Sequence, residues 1–309
     1  MTKHVPVLLE EVMGFLAVHP GGTYIDCTFG GGGYTEVLLN ESSPHGSVLA
    51  IDWNEEAIRR GRSRLGKYLP SAEQKETAGG SGSVSSRLVL MEGNFAQIQS
   101  IVHLQNIRPD GIVFDLGISS DLLEEGRGFS YLADEPLAMT FSAAEATRGH
   151  SAATLLATSS KEKIAEILSE FGDVRSSQLI AQAIVEERRK NPIKSTGDLR
   201  TLVHKCTGRD SFALLSKIFQ ALRIAVNREF ENLSMGLEGA WKLLGSGGRI
   251  VVVSFHSGED RIVKRQFRAW VVADEGRLLT TRPLRVAPGE RRSNPRSRSA
   301  RLRAIEKTA

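Results

Sequence analysis

The segment from Thr23 to Leu39, TYIDCTFGGGGYTEVLL, constrains this chain more than any other. Thr23-Tyr24-Ile25-Asp26 reads as a strand, glycines occupy 30 to 33, and a helix opens at Tyr34. A strand that turns through glycine into a helix is the opening unit of a parallel α/β sheet. The alternation continues along the chain. GSVLAID, Gly46 to Asp52, is a second strand ending in an acid, and Asn54 to Leu65 is a helix with Ala and Ile on one face and Arg on the other. Arg87 to Met91 and PDGIVFDL, Pro109 to Leu116, read as two further strands, and a short amphipathic helix starts near Pro6. Strand, helix, strand, helix predicts an α/β fold around a parallel sheet.

Glycine at the first strand–helix turn permits tight backbone geometry and close approach by a ligand. Alone, such a run is also compatible with a plain tight turn. Asp52, at the end of the next strand, adds a carboxylate able to accept both hydroxyls of an adenosine ribose. Dinucleotides and S-adenosylmethionine share that need. A dinucleotide would place its pyrophosphate at the helix N-terminus. The carboxylate and amine of S-adenosylmethionine would use the same region, with Asp26 nearby. The first turn leaves both open, although nothing else in the chain supports a nicotinamide oxidoreductase.

With 309 residues the chain has length for two modest domains or one large one. Pro70 to Arg87 is rich in Gly and Ser and has little to bury, so it reads as a flexible surface insertion. From about Ser142 to Phe212 the pattern is helical. SSKEKIAEILSEFG, with Ser159 or Ser160 as cap, and SSQLIAQAIVEERRK are amphipathic helices, and Ser195-Thr196 is placed to start another. FQALRIAVNREFENLSMGLEGAWKLL reads as a helix returning to the sheet, and GSGGRIVVVSFHS as a turn feeding a late strand. The expected organisation is a sheet domain over 1–120, an inserted helical substrate domain over 121–215, and a second part of the sheet domain over 216–309. The two cysteines, Cys27 and Cys206, form no metal-ligand spacing and no disulfide framework, and Cys27 reads as a small core side chain. No apolar run approaches membrane-spanning length, and the first residues resemble neither a signal nor a transit peptide.

The net charge of +4 says little, but its distribution is uneven. Between Arg277 and Arg303 there are nine arginines and one acid, Glu290. Arginines spaced by Ser and Asn suit phosphate contacts. A solvated or disordered tail is the other reading.

The landmarks HVPVLLEEV, CTFGGGG, DLGISS, RGFS, FQALRIAVNRE, GGRIVVVSFHSGEDRIVK and NPRSRSARLR, in that order, carry a resemblance. The chain resembles the bacterial-type 16S ribosomal RNA cytosine-N4 methyltransferase family, which also has mitochondrial members. The resemblance covers nearly the whole chain apart from the Ser/Gly segment. It implies a class I S-adenosylmethionine-dependent methyltransferase sheet, Rossmann-like, with an inserted helical domain. It implies S-adenosylmethionine as donor and the N4 amine of a decoding-site cytidine as acceptor. By the same resemblance Gly30, Gly31, Gly32, Gly33 and Tyr34, with Asp26, would hold the methionine part of the donor. Asp52 would hold its ribose, and Phe95 and Asp115 would line the adenine and transfer side. Phe255 and His256 would lie beside the substrate cleft, FQALRI would support it, and Asn294, Arg296 and Arg298 would help close it on RNA.

The chemistry sets its own demands. The N4 lone pair of cytosine is delocalised into the ring, whereas a sulfonium is a strong electrophile that needs no metal. The protein must align N4, methyl and sulfur and accept the N4 hydrogens. Asp115, near its strand end, is the expected acceptor, unless it only caps the next turn. The base must also leave its stack. Phe255 is a candidate platform or a core residue, and His256 a contact to phosphate or base or a local hydrogen bonder.

Several residues depart from the family pattern. Tyr34 stands where the family has His after the glycines, and Asp52-Trp53-Asn54 replaces Asp-Arg-Asp. Leu122 replaces a Gln, Leu137-Ala138-Met139-Thr140-Phe141 replaces LDMRM, and Gly258 replaces a Leu. Missing polar groups would weaken donor binding, and Tyr34 and Trp53 have the size and polar handles to compensate. Two functions are compatible with this pattern: an active RNA methyltransferase, or a non-catalytic small-subunit assembly factor that retains the fold and RNA surface. Expected partners are small-subunit ribosomal RNA or the assembling particle, proteins within it, and a second copy in a homodimer, with no membrane. The expected setting is a bacterial cytoplasm or a mitochondrial matrix.

Overall fold

The computed structural model describes residues 6–69, 86–105, 107–208 and 211–308, with Ser120, Ser293, Pro295 and Arg296 described by backbone only. The Ser/Gly stretch expected as a surface insertion lies, over 70–85, outside the described residues, as do His4 and Val5. The chain divides into two compact units, Met1–Gly117 with Glu231–Ala309, and Ile118–Phe230.

The strands are β1 (Thr23–Asp26), β2 (Ser47–Asp52), β3 (Leu88–Glu92), β4 (Gly111–Asp115), β5 (Arg249–Ser254), β6 (Gly276–Leu278) and β7 (Arg301–Lys307). The helices are α1 (Leu9–Leu16), α2 (Gly33–Glu41), α3 (Glu55–Arg64), α4 (Ile98–Gln105), α5 (Ser120–Glu124), α6 (Ala143–Thr147) and α7 (Ala152–Thr158), then α8 (Lys161–Gly172), α9 (Ser177–Glu187), α10 (Thr196–Thr207), α11 (Phe212–Asn227), α12 (Glu229–Leu243), α13 (Ser257–Val272) and α14 (Pro288–Ser293).

In the first unit the strands form one sheet ordered β3-β2-β1-β4-β5-β7-β6. β1 to β5 run parallel, and β7 is antiparallel to both neighbours. Parallel strands buried on both faces need apolar residues at successive positions, and VLAI of β2 and IVVV of β5 supply them. Period-two alternation splits these residues between two cores. Val48, Ala50, Val113 and Val251 pack with α1 and α2 on one face. Leu49, Ile51, Phe114 and Val252 pack with α4, α12 and α13 on the other. There Trp241 and Trp270 stack with centroids 4.2 Å apart.

The register sets the functional edge. Asp26 lies level with Ala50 and Val113, and Asp115 with Val253. The acids ending β1, β2 and β4 therefore emerge at one edge of the sheet. Strand order reverses between β1 and β4, and in open α/β sheets the crevice outside the carboxyl ends at such a reversal receives ligands.

The second unit is helical, with a core that includes Leu122, Ile164, Leu168, Ile184, Leu199 and Leu222. Ser160 caps α8 through its hydroxyl, which accepts the Lys163 N–H at 3.2 Å. Ser195 and Asp198 form a reciprocal capping box on α10. The run FQALRIAVNREFENLSMGLEGAWKLL departs from the expected single helix. Arg228 takes a left-handed conformation at φ 49° and separates α11 from α12. Ile218, Phe219, Ala221 and Leu222, one apolar face of α11, are buried in the helical core. Asn227 pins the break: its Nδ2 donates to the Met139 carbonyl at 2.7 Å and its Oδ1 accepts the Phe141 N–H at 2.9 Å. FQALRI thus serves the helical core, and the compact units part at 118 and 230 where the sequence suggested 121 and 215.

The basic end of the chain is also more ordered than a solvated tail. Arg301 to Lys307 form β7 inside the sheet, and Arg303 is buried. Among the described residues, no helix is long and apolar enough to cross a membrane. Cys27 is buried and Cys206 half-buried, both free.

Candidate active site at the carboxyl ends of the strands

The glycine turn leaves β1 and enters α2. Gly32 has φ +73°, a region costly for any residue with a side chain, and a Cβ there would meet the Phe29 ring at 2.6 Å. At Gly33 a Cβ would meet the Pro6 ring at 2.3 Å. At Gly31 it would meet nothing within 4 Å. Two of the glycines thus close the turn against the protein, while the Cβ side of Gly31 faces open space.

Three carboxylates surround this turn in sequence and register. Asp52 accepts the Gly30 N–H at 2.6 Å through Oδ2 and the Asn54 N–H at 2.8 Å through Oδ1. It therefore ties the turn to the end of β2, while Asn54 caps α3 by accepting the Glu56 N–H at 3.2 Å. Asp26 is fully buried; it accepts the Thr28 N–H at 3.1 Å and the Thr35 hydroxyl at 2.7 Å. Burial pushes its carboxyl up to about 6, with Asp52 adding to the rise and the two hydrogen bonds opposing it. Asp115 differs. Its backbone N–H donates to the Thr28 hydroxyl at 2.7 Å, but its Oδ1 is enclosed with no hydrogen-bond partner among the described residues. Burial, then the charges of Asp26 and Glu259, hold its carboxyl well above the usual carboxylate range. A buried polar atom without a partner normally costs stability, and such groups cluster at sites that act on a ligand.

Tyr34 does not offer its hydroxyl to this edge. It is buried, and its hydroxyl donates to the Val7 carbonyl. The ring fills core, so the expected polar handle is consumed within the protein. Phe95 sits just after β3, edge-on to Phe114 at 5.5 Å, and its ring lies where a Cβ on Gly236 would be, 2.6 Å away. Phe255 comes directly after β5, half-buried, 3.1 Å from where a Cβ on Gly117 would sit. His256 is the N-cap of α13: its Nδ1 accepts the Glu259 N–H at 3.4 Å, and the Glu259 carboxylate accepts the His256 N–H at 3.3 Å. This is the local role weighed for His256. Asn294 caps α14, Arg298 is exposed on the next turn, and Arg296 lies in that turn by its backbone.

Sequence reasoning missed Thr28, Thr35 and Arg64. The guanidinium of Arg64 donates to the Gly31 carbonyl, to the Gly32 carbonyl at 3.0 Å and to Glu36 at 3.0 Å, clasping the turn from α3. The threonines flank the glycines at positions 28 and 35, a visible signal; Arg64 is one of four arginines in its helix, with nothing to single it out. Of the departures from the family pattern, Leu122 is buried in the helical core, and the Thr140 hydroxyl donates to the Ser142 carbonyl at 2.5 Å.

S-adenosylmethionine fits this edge chemically. It carries a cationic ammonium and a cationic sulfonium, and the edge offers Asp26, Asp52 and Asp115. It has a ribose diol of the kind a carboxylate can accept, and the Cβ side of Gly31 leaves space for a close ligand.

The sheet order with its antiparallel seventh strand, and the glycine turn with an acid ending the next strand, define a class I methyltransferase fold. Residues 1–308 match the MraW methylase family. Ribosomal RNA small subunit methyltransferase H of Thermomicrobium roseum is 42% identical over 327 residues, covering 100% of this chain and 94% of that protein. The protein of the same name from Symbiobacterium thermophilum is 39% identical, covering 98% and 96%. A solved rRNA methylase from Streptococcus thermophilus aligns over 100% and 99% of the two chains with a TM-score of 0.42 at 12% identity. The chain belongs to the MraW methylase family.

Proposed function

We propose that this chain transfers the methyl group of S-adenosylmethionine to the N4 amine of a cytidine in small-subunit ribosomal RNA, near the decoding site. The observation that carries the reading is Asp115, whose enclosed Oδ1 has no partner among the described residues and whose carboxyl is raised beside the glycine turn. The donor, when bound, supplies an electrophilic methyl group. Asp115 accepts an N4 hydrogen, which localises the lone pair on nitrogen, and takes the proton as the N–C bond forms. A raised carboxyl is the better proton acceptor near neutral pH. Asp26 and Asp52 hold the ammonium and ribose of the donor. Phe95 borders the adenine, and Phe255, seated on Gly117, offers an aromatic face to the unstacked cytosine.

The RNA target is supported by relatives named as small-subunit ribosomal RNA methyltransferases. The substrate is then the RNA or the assembling particle. Those relatives are bacterial, which supports a bacterial cytoplasm over the mitochondrial matrix. The non-catalytic alternative drew on polar side chains absent at Leu122, Ala138 and Thr140. The acids at 26, 52 and 115 and the glycines at 30–33 are all present, which supports transfer.

The test is calorimetric titration with S-adenosylmethionine and S-adenosylhomocysteine, then methylation of small-subunit ribosomal RNA and mass mapping of the product. Micromolar binding and N4-methylcytidine at one position are expected. No binding at millimolar donor, with and without the RNA, refutes the reading.

A further inference from the structure

The nine arginines from Arg277 to Arg303 separate into groups that the sequence does not distinguish. Arg277 pairs with Glu306 at 2.7 Å, Arg303 with Asp260 at 2.7 Å, and Arg301 reaches Asp260 at 3.6 Å. These three support the end of the sheet. Arg282, Arg285, Arg291, Arg292 and Arg298 are exposed and have no ion pair or hydrogen bond among the described residues. Glu290, the one acid of the stretch, is engaged elsewhere: its Oε1 accepts the Leu8 N–H at 3.0 Å.

Three of the unpaired arginines converge. Arg291 and Arg292 on α14 and Arg298 on the turn after it line an open cleft of about 390 Å³, with Val286 and Pro288 in its wall. The turn is pinned, because the Asn294 carbonyl accepts both the Ser297 N–H at 3.0 Å and the Ser297 hydroxyl at 2.7 Å. Three like charges held around one cleft repel each other unless an anion joins them. Guanidinium groups bind phosphate in a bidentate fashion, and apolar walls beside them suit the face of a base or ribose.

We propose that this cleft is a second RNA subsite, distinct from the pocket for the reacting base. Its arginines hold a phosphodiester, and Val286 and Pro288 carry the adjoining nucleotide. The inference rests on the reading of RNA as substrate. Its place in the fold suits a nucleotide flanking the target. Glu290 of α14 is bonded to Leu8, the neighbouring Val7 carbonyl accepts the Tyr34 hydroxyl, and Pro6 packs against Gly33. Residues 6–8 thus join the arginine cleft to the glycine turn.

The test compares wild type, an Arg291→Ala/Arg292→Ala/Arg298→Ala variant, and an Arg282→Ala/Arg285→Ala control that removes unpaired charge outside the cleft. The probe is a fluorescein-labelled single-stranded oligonucleotide of the decoding-site sequence, read by anisotropy over a salt series alongside methylation kinetics and donor calorimetry. The triple variant should bind RNA about tenfold or more weakly, with the salt slope reduced by about 0.7 for each phosphate no longer held. Its KM for RNA should rise while kcat and donor affinity stay within about twofold. The control should change little. A triple variant with wild-type affinity and slope overturns the cleft, and so does a control that weakens as much. If wild type methylates the RNA and the triple variant matches it, the cleft alone is refuted. If wild type neither binds nor methylates the RNA, the functional reading falls and the cleft with it.

Discussion

With Asp26 proposed to hold the donor ammonium, donor binding should be coupled to protons. Its carboxyl is fully buried and pushed up to about 6 from an ordinary value of 3.8. A shift of about two units corresponds to about 3 kcal/mol between the protonated and ionised forms. The folded value lies above the unfolded one, so protonation favours the fold. This contribution is complete below about pH 4 and is lost as pH rises through about 6. A bound ammonium reverses the balance by favouring the carboxylate. With Asp26 returned to the ordinary range in the complex, binding releases about half a proton at pH 6 and about 0.9 at pH 5. Donor affinity should then be about tenfold weaker at pH 5 than at pH 7. Calorimetry with S-adenosylhomocysteine in buffers of different ionisation enthalpy reads both quantities. Asp26→Asn keeps an acceptor for the Thr28 N–H and an amide that can donate to the Thr35 hydroxyl, so the fold should persist. In that variant the dependence between pH 5 and pH 7 should flatten. Affinity independent of pH in wild type, with no proton released, would refute the coupling. An undiminished dependence in Asp26→Asn would assign it to another group.

Three further outcomes are expected from the same geometry. Asp115→Asn keeps the size of a side chain whose Oδ1 has no hydrogen-bond partner among the described residues and lifts the burial cost of ionising it, so thermal stability at pH 7 should hold or rise while single-turnover methylation falls by about 10²-fold or more. Gly32→Ala meets both the left-handed backbone and the Phe29 ring, and should cost about 2 kcal/mol or more in denaturant unfolding. Leu122→Gln restores the residue type of the family pattern, but it places an amide in the apolar core of the helical unit. It should destabilise by about 1–3 kcal/mol in urea titration and leave donor affinity no better than wild type.

Much of this site was legible because it lies at local punctuation. β1, the glycines and Asp52 fall in one strand–turn–helix–strand unit, and a carboxylate at a strand end is visible in a string of letters. The orphaned Oδ1 of Asp115 was not visible, because it depends on what β5 and α13 bring beside β4. Tyr34 misled for a similar reason. Its hydroxyl looked available to a ligand, and its partner, the Val7 carbonyl, lies in a segment that sequence periodicity assigns only to a helix start. α11 was attached to the wrong unit because an amphipathic face does not state which core it faces. The break at Arg228, an arginine with positive φ, has no sequence signature. The basic end was read as one electrostatic feature, yet Arg303 is a buried partner of Asp260 while Arg298 is exposed.

The insertion of β7 between β5 and β6 has a consequence for synthesis. The helical unit is continuous, Ile118–Phe230, and can fold as soon as it leaves the ribosome. The sheet cannot. Until β5 is made, β4 waits with one edge unpaired, and β5 and β6 do not meet until β7 arrives to join them. An unpaired edge of apolar strand is a template for pairing with another chain. The nascent protein therefore carries an open apolar edge, first on β4 and then on β5, until Arg301 to Lys307 are made. A chain stopped short of those residues would be handed to chaperones or proteases with its helical unit intact and its sheet open.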